Sequence, residues 1–427
     1  MTTSLVLSAK YEVRRVNLRW FDWRRLTALV GPGALIAVGY MDPGNWATDL
    51  AGGSRFGYAL LPVVIGSSLC GMLLQYLALK LGLVTGKNLA KHCRDAFPRP
   101  VSLLLWVSAE VMIIACDLAE VIGTAIALNL LFGVPLVYGV LITALDTLIF
   151  LALQKRGFGA IQAMLTVVLA TVVGCFAVEL MIAGPQIKDI AHGLSRSNEI
   201  FRSHDMLYLG VGILGATVMP HNLYLHSDLA KKRTANISMK KALKIASLDS
   251  LGSLSLAAFV NIAILMVAAA TFYSAGHHNV TDIQQAYHML TPLLGGTLAA
   301  ALFGIALLLS AQSSTITATM AGESIMQGFL KLRLAPWKRR LITRSLAIIP
   351  AVTIILLSGD TSLGKLLISS QVILSIQLPL AILPLIFLTN RKSIMGEYKN
   401  HPGTVVLASV IGLLILGANC WLLSSLV

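Results

Sequence analysis

The chain has 427 residues, of which 56% are hydrophobic and only 12% charged, with a mean hydropathy of +0.79. Soluble proteins carry about 25% charged residues, so this balance excludes a soluble enzyme, a disordered chain and a nucleic-acid-binding domain, despite the net charge of +14. What remains is an all-α polytopic membrane protein whose surroundings are the lipid bilayer.

A spanning helix needs about 20 mostly apolar residues. Taken in chain order, eleven runs qualify: 26–54, 57–83, 101–131, 134–153, 158–183, 205–229, 246–274, 292–322, 341–358, 362–389 and 403–426. The loops are short, the longest external one being 184–204, so a single membrane domain over 1–427 is expected. Residues 1–25 are polar and basic and the first apolar run is too long for a cleavable signal peptide. The cysteines, Cys70, Cys93, Cys116, Cys175 and Cys420, form no C-x-x-C pair, and four of them lie in apolar runs, which argues against a disulfide framework or a zinc site.

With the N-terminus placed in the cytoplasm, the cytoplasmic segments and helix ends hold 28 of the 33 Lys and Arg residues. The other side holds five: Arg55, Lys188, Arg196, Arg202 and Lys365. This is the asymmetry expected of cytoplasmic loops. It supports an odd number of spans and a C-terminus outside.

The first run contains Asp42-Pro43-Gly44-Asn45 and the sixth Met219-Pro220-His221-Asn222. Both read x-Pro-x-Asn, 177 residues apart, in spans of opposite direction. Proline removes a backbone donor and clashes with the carbonyl one turn back, and glycine tolerates the dihedrals of an unwound segment. Two proline-interrupted spans at matching places point to an inverted-repeat transporter with a site at mid-membrane. Unwinding frees carbonyls that must find partners in lipid, and a cation is one. Asp42 adds a carboxylate and Asn45 an amide oxygen; Asp42 could also cap the helix that follows. Met219 adds a soft thioether. Oxygen and sulfur together suit a transition metal, whereas Mg²⁺ and Ca²⁺ prefer oxygen alone.

The third run carries Glu110, Asp117 and Glu120. At about 100° per residue, Asp117 falls roughly 20° and Glu120 roughly 80° from Glu110, so the three share one face. Such a row reads as a proton relay, as a set of ion pairs with buried arginine, or as both. The candidate counter-charges are Arg233, Arg339, Arg340 and Arg344. His221 and His226 follow the second break, and imidazole titrates near neutral pH. Asp146, Glu179, Asp249 and Glu323 lie in or near spans, with pairing as their expected role. Neither H-E-x-x-H nor G-x-S-x-G occurs, which argues against an intramembrane enzyme. An amino-acid or sodium-coupled symporter is the nearer alternative, although Asp42 would repel a substrate carboxylate.

Gly39-Tyr40-Met41-Asp42-Pro43-Gly44-Asn45 and Gly215-Ala216-Thr217-Val218-Met219-Pro220-His221-Asn222 closely resemble the signatures of the Nramp family, the natural resistance-associated macrophage proteins, in its bacterial, MntH-like branch. Thr85-Gly86-Lys87-Asn88-Leu89, Asp117-Leu118-Ala119-Glu120 and Ser370-Gln371-Val372 are similar to further family segments. The resemblance implies proton-coupled import of Mn²⁺ or Fe²⁺ through the inner membrane, with no resident cofactor. It implies a LeuT-like inverted 5+5 repeat with helices 1 and 6 broken: repeat one at about 26–183, repeat two at about 205–389, and an extra helix at about 403–426. The implied metal ligands are Asp42, Asn45, the Ala216 carbonyl and Met219, with Gln371 rather than Gln377 joining in some conformations. His221 and Asp42 are implied in proton coupling. Family members that lack the methionine are associated with Mg²⁺ or Al³⁺.

Overall fold

A computed structural model of the chain describes residues 31–146, 157–231, 238–280, 282–294, 297–332, 335–358 and 363–424. The first expected run is interrupted: α1 (Gly33–Gly39) and α2 (Pro43–Phe56) are separated by Tyr40–Asp42. A 3-10 turn, Gly57–Leu60, leads into α3 (Leu61–Thr85), which ends at Gly86 in the left-handed conformation (φ 66°). A short helix follows, α4 (Leu89–Ala96), capped by the Asn88 side chain accepting from Lys91 N at 2.9 Å. The Asn88 amide also donates to Asp228 at 2.6 Å and to Ser324 Oγ at 3.1 Å, tying this loop to two later helices.

Then come α5 (Arg99–Phe132), α6 (Leu136–Ile142) and α7 (Phe158–Ala183). The 184–204 loop is itself helical in part, with α8 (Ile187–Ser195) and a 3-10 turn at Ser197–Phe201. The sixth run is again broken, into α9 (His204–Thr217) and α10 (Pro220–Ala230). Next are α11 (Met239–Ala268), α12 (Ile283–Leu294), α13 (Thr297–Leu330), α14 (Pro336–Ser358), α15 (Leu363–Asn390), α16 (Lys392–Met395) and α17 (Pro402–Ser424).

Nine helical stretches among the described residues are long and apolar enough to cross a bilayer, and the chain is a multi-pass membrane protein. Two features separate this from eleven runs. The seven-residue α1 is too short to count, and α2 merges with α3 through the 3-10 turn into one stretch, Pro43–Thr85. The second half of the fourth run, 147–153, lies outside the described residues, leaving Leu136–Leu145. Large apolar side chains such as Leu69, Val167, Leu356 and Leu413 point outward, as lipid requires. The interior holds the polar groups. The two broken helices are packed among α5, α11, α13 and α15.

Candidate metal-transport site

Both breaks form where the sequence predicts, for the same local reason. Pro43 and Pro220 occupy the first position of α2 and α10, where the missing N–H is not needed. Asp42 caps α2, accepting from Asn45 N at 2.9 Å. Capping uses Oδ1; Oδ2 is buried with no hydrogen-bond partner among the described residues. The helix-cap and ligand readings of Asp42 therefore assign different oxygens of one carboxylate. Met219 stands at the equivalent position before α10, where its side chain makes no cap.

The carbonyls released by the first break are not left for an ion. Tyr40 O accepts from the Asn45 and Asn261 amides, each at 3.0 Å. Met41 O accepts from Trp46 Nε1 at 3.0 Å and from the Ser310 hydroxyl. Side chains from α2, α11 and α13 thus do the work that a cation was expected to do for these backbone groups.

The breaks touch reciprocally. Asn45 Nδ2 donates to Ala216 O at 3.2 Å, linking the first break to the helix before the second. Asn222, the matching residue of the second motif, lies so close to Gly39 that a Cβ there would stand 2.5 Å from its Nδ2. Asn222 Nδ2 in turn contacts Met219 Sδ at 3.6 Å. On the other side, Gln371 packs onto Gly44, where a Cβ would lie 1.7 Å from its Nε2. Gln371 Nε2 bonds Ser370 Oγ at 3.0 Å. Gln371, not Gln377, is therefore the glutamine seated on the first break. Asp42 Oδ2, Asn45 Oδ1 and Gln371 Oε1 are all buried without a partner among the described residues. Met219, at the second break, is fully buried, and its sulfur contacts Asn222. No group of three His, Cys, Asp or Glu residues fit to hold a metal occurs among the described residues; the groups gathered at the breaks are one carboxylate, amides, a carbonyl and a thioether.

The acidic row of α5 does share a face, but its members have different partners. Glu110 pairs with Arg339 at 2.7 Å. Asp117 pairs with Arg344 at 2.9 Å, and Arg344 also holds Asp146 at 2.9 Å. Arg340 donates to Thr315 O at 3.3 Å and to the Thr319 hydroxyl. Arg233 lies outside the described residues. Glu120, fully buried, has no cation within ion-pair distance among the described residues; Oε1 receives the Cys116 thiol at 3.6 Å. Cys116 Sγ is also 3.9 Å from His221 Nε2, so the thiol stands between the second break and the acidic row. His226 contacts Gln75 at 2.9 Å, and Gln75 donates to Tyr40 OH at 2.9 Å.

The family model described as natural resistance-associated macrophage protein-like matches residues 33–425. The chain belongs to the Nramp family. It is 52% identical over 404 residues to a divalent metal cation transporter MntH of Nostoc, covering 94% of this chain and 91% of that protein. An Agrobacterium fabrum protein of the same name is 50% identical, covering 98% and 92%. A crystal structure of the Eremococcus coleocola manganese transporter superposes with a TM-score of 0.87 at 36% identity, covering 100% of this chain and 91% of that one. Mhp1, a nucleobase-cation-symport-1 transporter, shares the fold at a TM-score of 0.62 and 18% identity.

Within this Nramp chain, Asp42, Asn45, Ala216, Met219 and Gln371 come together around the two breaks. Glu110, Asp117, Arg339 and Arg340 form a separate charged seam, reached from the breaks through His221, Cys116 and Glu120. Asp146 is paired as expected, and Asp249 caps α1, accepting from Gly31 N at 2.6 Å and Gly33 N at 2.9 Å. Glu179 departs from the pairing expectation: both its oxygens are buried without a hydrogen-bond partner among the described residues. Arg344, one of the four counter-charges expected from the sequence, is the cation shared by Asp117 and Asp146; sequence reasoning missed Asn261 and Ser310 as supports of the break, and Asp49. Asp49 was within reach, because seven residues after Asp42 is two helical turns on the same face.

Proposed function

We propose that this chain imports divalent transition metals, Mn²⁺ foremost and Fe²⁺ also, through the cell (inner) membrane with protons as the co-substrate. The supporting observations are three buried side-chain oxygens at the first break with no partner among the described residues, on Asp42, Asn45 and Gln371, and the buried Met219 at the second break, which contacts the first through Asn45–Ala216 and Asn222–Gly39. A buried acceptor without a donor costs about 1–3 kcal/mol, and more when charged, so such a set is costly unless a cation joins it. Mixed oxygen and sulfur favour a borderline-soft dication over Ca²⁺ or Mg²⁺. The proteins named divalent metal cation transporter and manganese transporter support the same substrate class.

In this reading the basic face, carrying Lys87, Lys91 and Arg94, is cytoplasmic, the N-terminus is inside and the C-terminus outside. The metal ion is cargo, and no resident cofactor is required. The unwound segments let the half-helices on either side of the site swing separately, so the site faces one side at a time. Asp42, when the dication arrives, gives up any proton it carries. His221, Cys116 and Glu120 lead from the break to Asp117 and Glu110, whose charges Arg344 and Arg339 balance; Arg340, and Arg233 by its position in the sequence, add positive charge along the exit. A symporter for carboxylate substrates on the same fold is disfavoured by the Asp42 carboxylate at the break.

The test is Mn²⁺ uptake into proteoliposomes with a pH dye inside. The wild-type chain acidifies the lumen during uptake and Asp42→Ala does neither. Undiminished uptake by Asp42→Ala would falsify the assignment of the site, and uptake without acidification would remove the proton from the mechanism.

A further inference from the structure

Asp49 is fully buried, and neither of its carboxylate oxygens has a hydrogen-bond partner among the described residues. It lies on α2 seven residues beyond Asp42, so it returns to within about 20° of the same face, about 10 Å farther along the axis. The face it occupies runs against α11. A Cβ at Gly53 would stand 2.4 Å from Leu265 O and 2.8 Å from Ala268 Cβ, so the two backbones nearly touch there. One turn back from Gly53 and Leu265 are Asp49 and Asn261. Asn261 is also fully buried; its Nδ2 is committed to Tyr40 O at 3.0 Å, and its Oδ1 has no partner among the described residues. Asn45 Oδ1, one turn below Asp49 on α2, likewise has no partner among the described residues.

The α2–α11 seam therefore carries a carboxylate and amide oxygens that no donor meets among the described residues. Acceptors alone, one of them a carboxyl group, are stabilised by a cation, and an all-oxygen set suits hard or borderline cations without discriminating among them. We propose that Asp49 and Asn261 form a second, oxygen-only subsite for the incoming dication, one step outside the Asp42–Met219 site. The proposal rests on the import reading for its direction. The outer subsite gathers divalent ions by charge, and the thioether at the inner site then sorts them by softness. Asn45, shared between the two levels, is positioned to pass the ion from one to the other.

The experiment uses the full chain, purified and crystallised at rising Mn²⁺ concentration, with manganese located by anomalous scattering. Two peaks are expected, one at Asp42–Met219 and one between Asp49 and Asn261. In Asp49→Asn, which keeps the shape of the side chain, the outer peak vanishes and the inner one stays. In uptake assays Asp49→Asn raises the KM for Mn²⁺ about tenfold while Ca²⁺ remains excluded. A single inner peak at saturating Mn²⁺ in the wild-type chain overturns the proposal, a result that needs no variant to fold. An unchanged KM in Asp49→Asn also overturns it. Absence of the inner peak instead counts against the import site itself, whatever is found at Asp49.

Discussion

Gly44→Ala tests how tightly Gln371 is seated at the break. The added Cβ would stand 1.7 Å from Gln371 Nε2 and 2.2 Å from Cδ, and even Cγ would be 2.9 Å away. Ordinary carbon contacts are at about 3.5–4.0 Å, so the amide must retreat by about 2 Å. The helix cannot slide back instead. On its other flank a Cβ at Gly215 would already lie 2.6 Å from Gln371 O and 2.5 Å from Ser375 Cβ, so α15 is held against both α2 and α9. The side chain has to rotate, and Oε1 leaves the site with it. Overpacking of this kind costs about 1–3 kcal/mol, which corresponds to roughly 5- to 150-fold in affinity for the ion. Initial rates of Mn²⁺ uptake against concentration, together with equilibrium binding, read this directly. Gly174→Ala, where a Cβ meets nothing within 4 Å, is the control and should leave both unchanged. Combining Gly44→Ala with Gln371→Ala removes the clash, so the double variant should behave like Gln371→Ala alone, a non-additive pair. A KM for Gly44→Ala indistinguishable from wild type would refute the argument.

Met219→Ala should retain part of the Mn²⁺ uptake while Ca²⁺ begins to compete; complete exclusion of Ca²⁺ by the variant would contradict the role given to sulfur. Arg344→Met removes the cation shared by Asp117 and Asp146 and should destabilise the protein by about 3–5 kcal/mol, seen as loss of monodisperse protein on heating; neutralising both carboxylates in the same background should recover much of it. His92, in the short helix α4 between spans, has its imidazole pushed down to about 4 by burial, with the nearby Lys87 charge adding to the effect. The unfolded chain therefore takes up that proton first, so stability is unaffected near neutrality and falls as pH drops from about 6.5 toward 4. His92→Asn should flatten that part of the stability curve, and an unaltered slope would show that other groups cause it.

Some of this molecule follows from short-range chemistry. Apolar runs are matched to bilayer thickness wherever they occur, so the membrane class was readable from composition and from run length alone. Proline alone does not break a span, since Pro350 lies inside α14 and Pro379 and Pro384 inside α15, but both breaks appear where x-Pro-x-Asn stands. The periodicity of α5 put its three carboxylates on one face before any neighbour was known. Short loop helices such as α8 escaped notice because they are held by tertiary contacts rather than by a long apolar pattern.

What meets what was decided elsewhere. Asn45 bonds the carbonyl of Ala216, 171 positions away, and Asp117 takes its charge partner from Arg344, 227 positions away. The choice of Arg344 over its basic neighbours depends on the rotation and depth of α14 against α5. The freed carbonyls of Tyr40 and Met41 find Asn261 and Ser310 because α11 and α13 pass beside the break. Local sequence controls backbone continuity and the direction of a side chain around its own axis; the register between packed helices is a property of the whole assembly, and it alone determined which acceptors were left without a donor among the described residues.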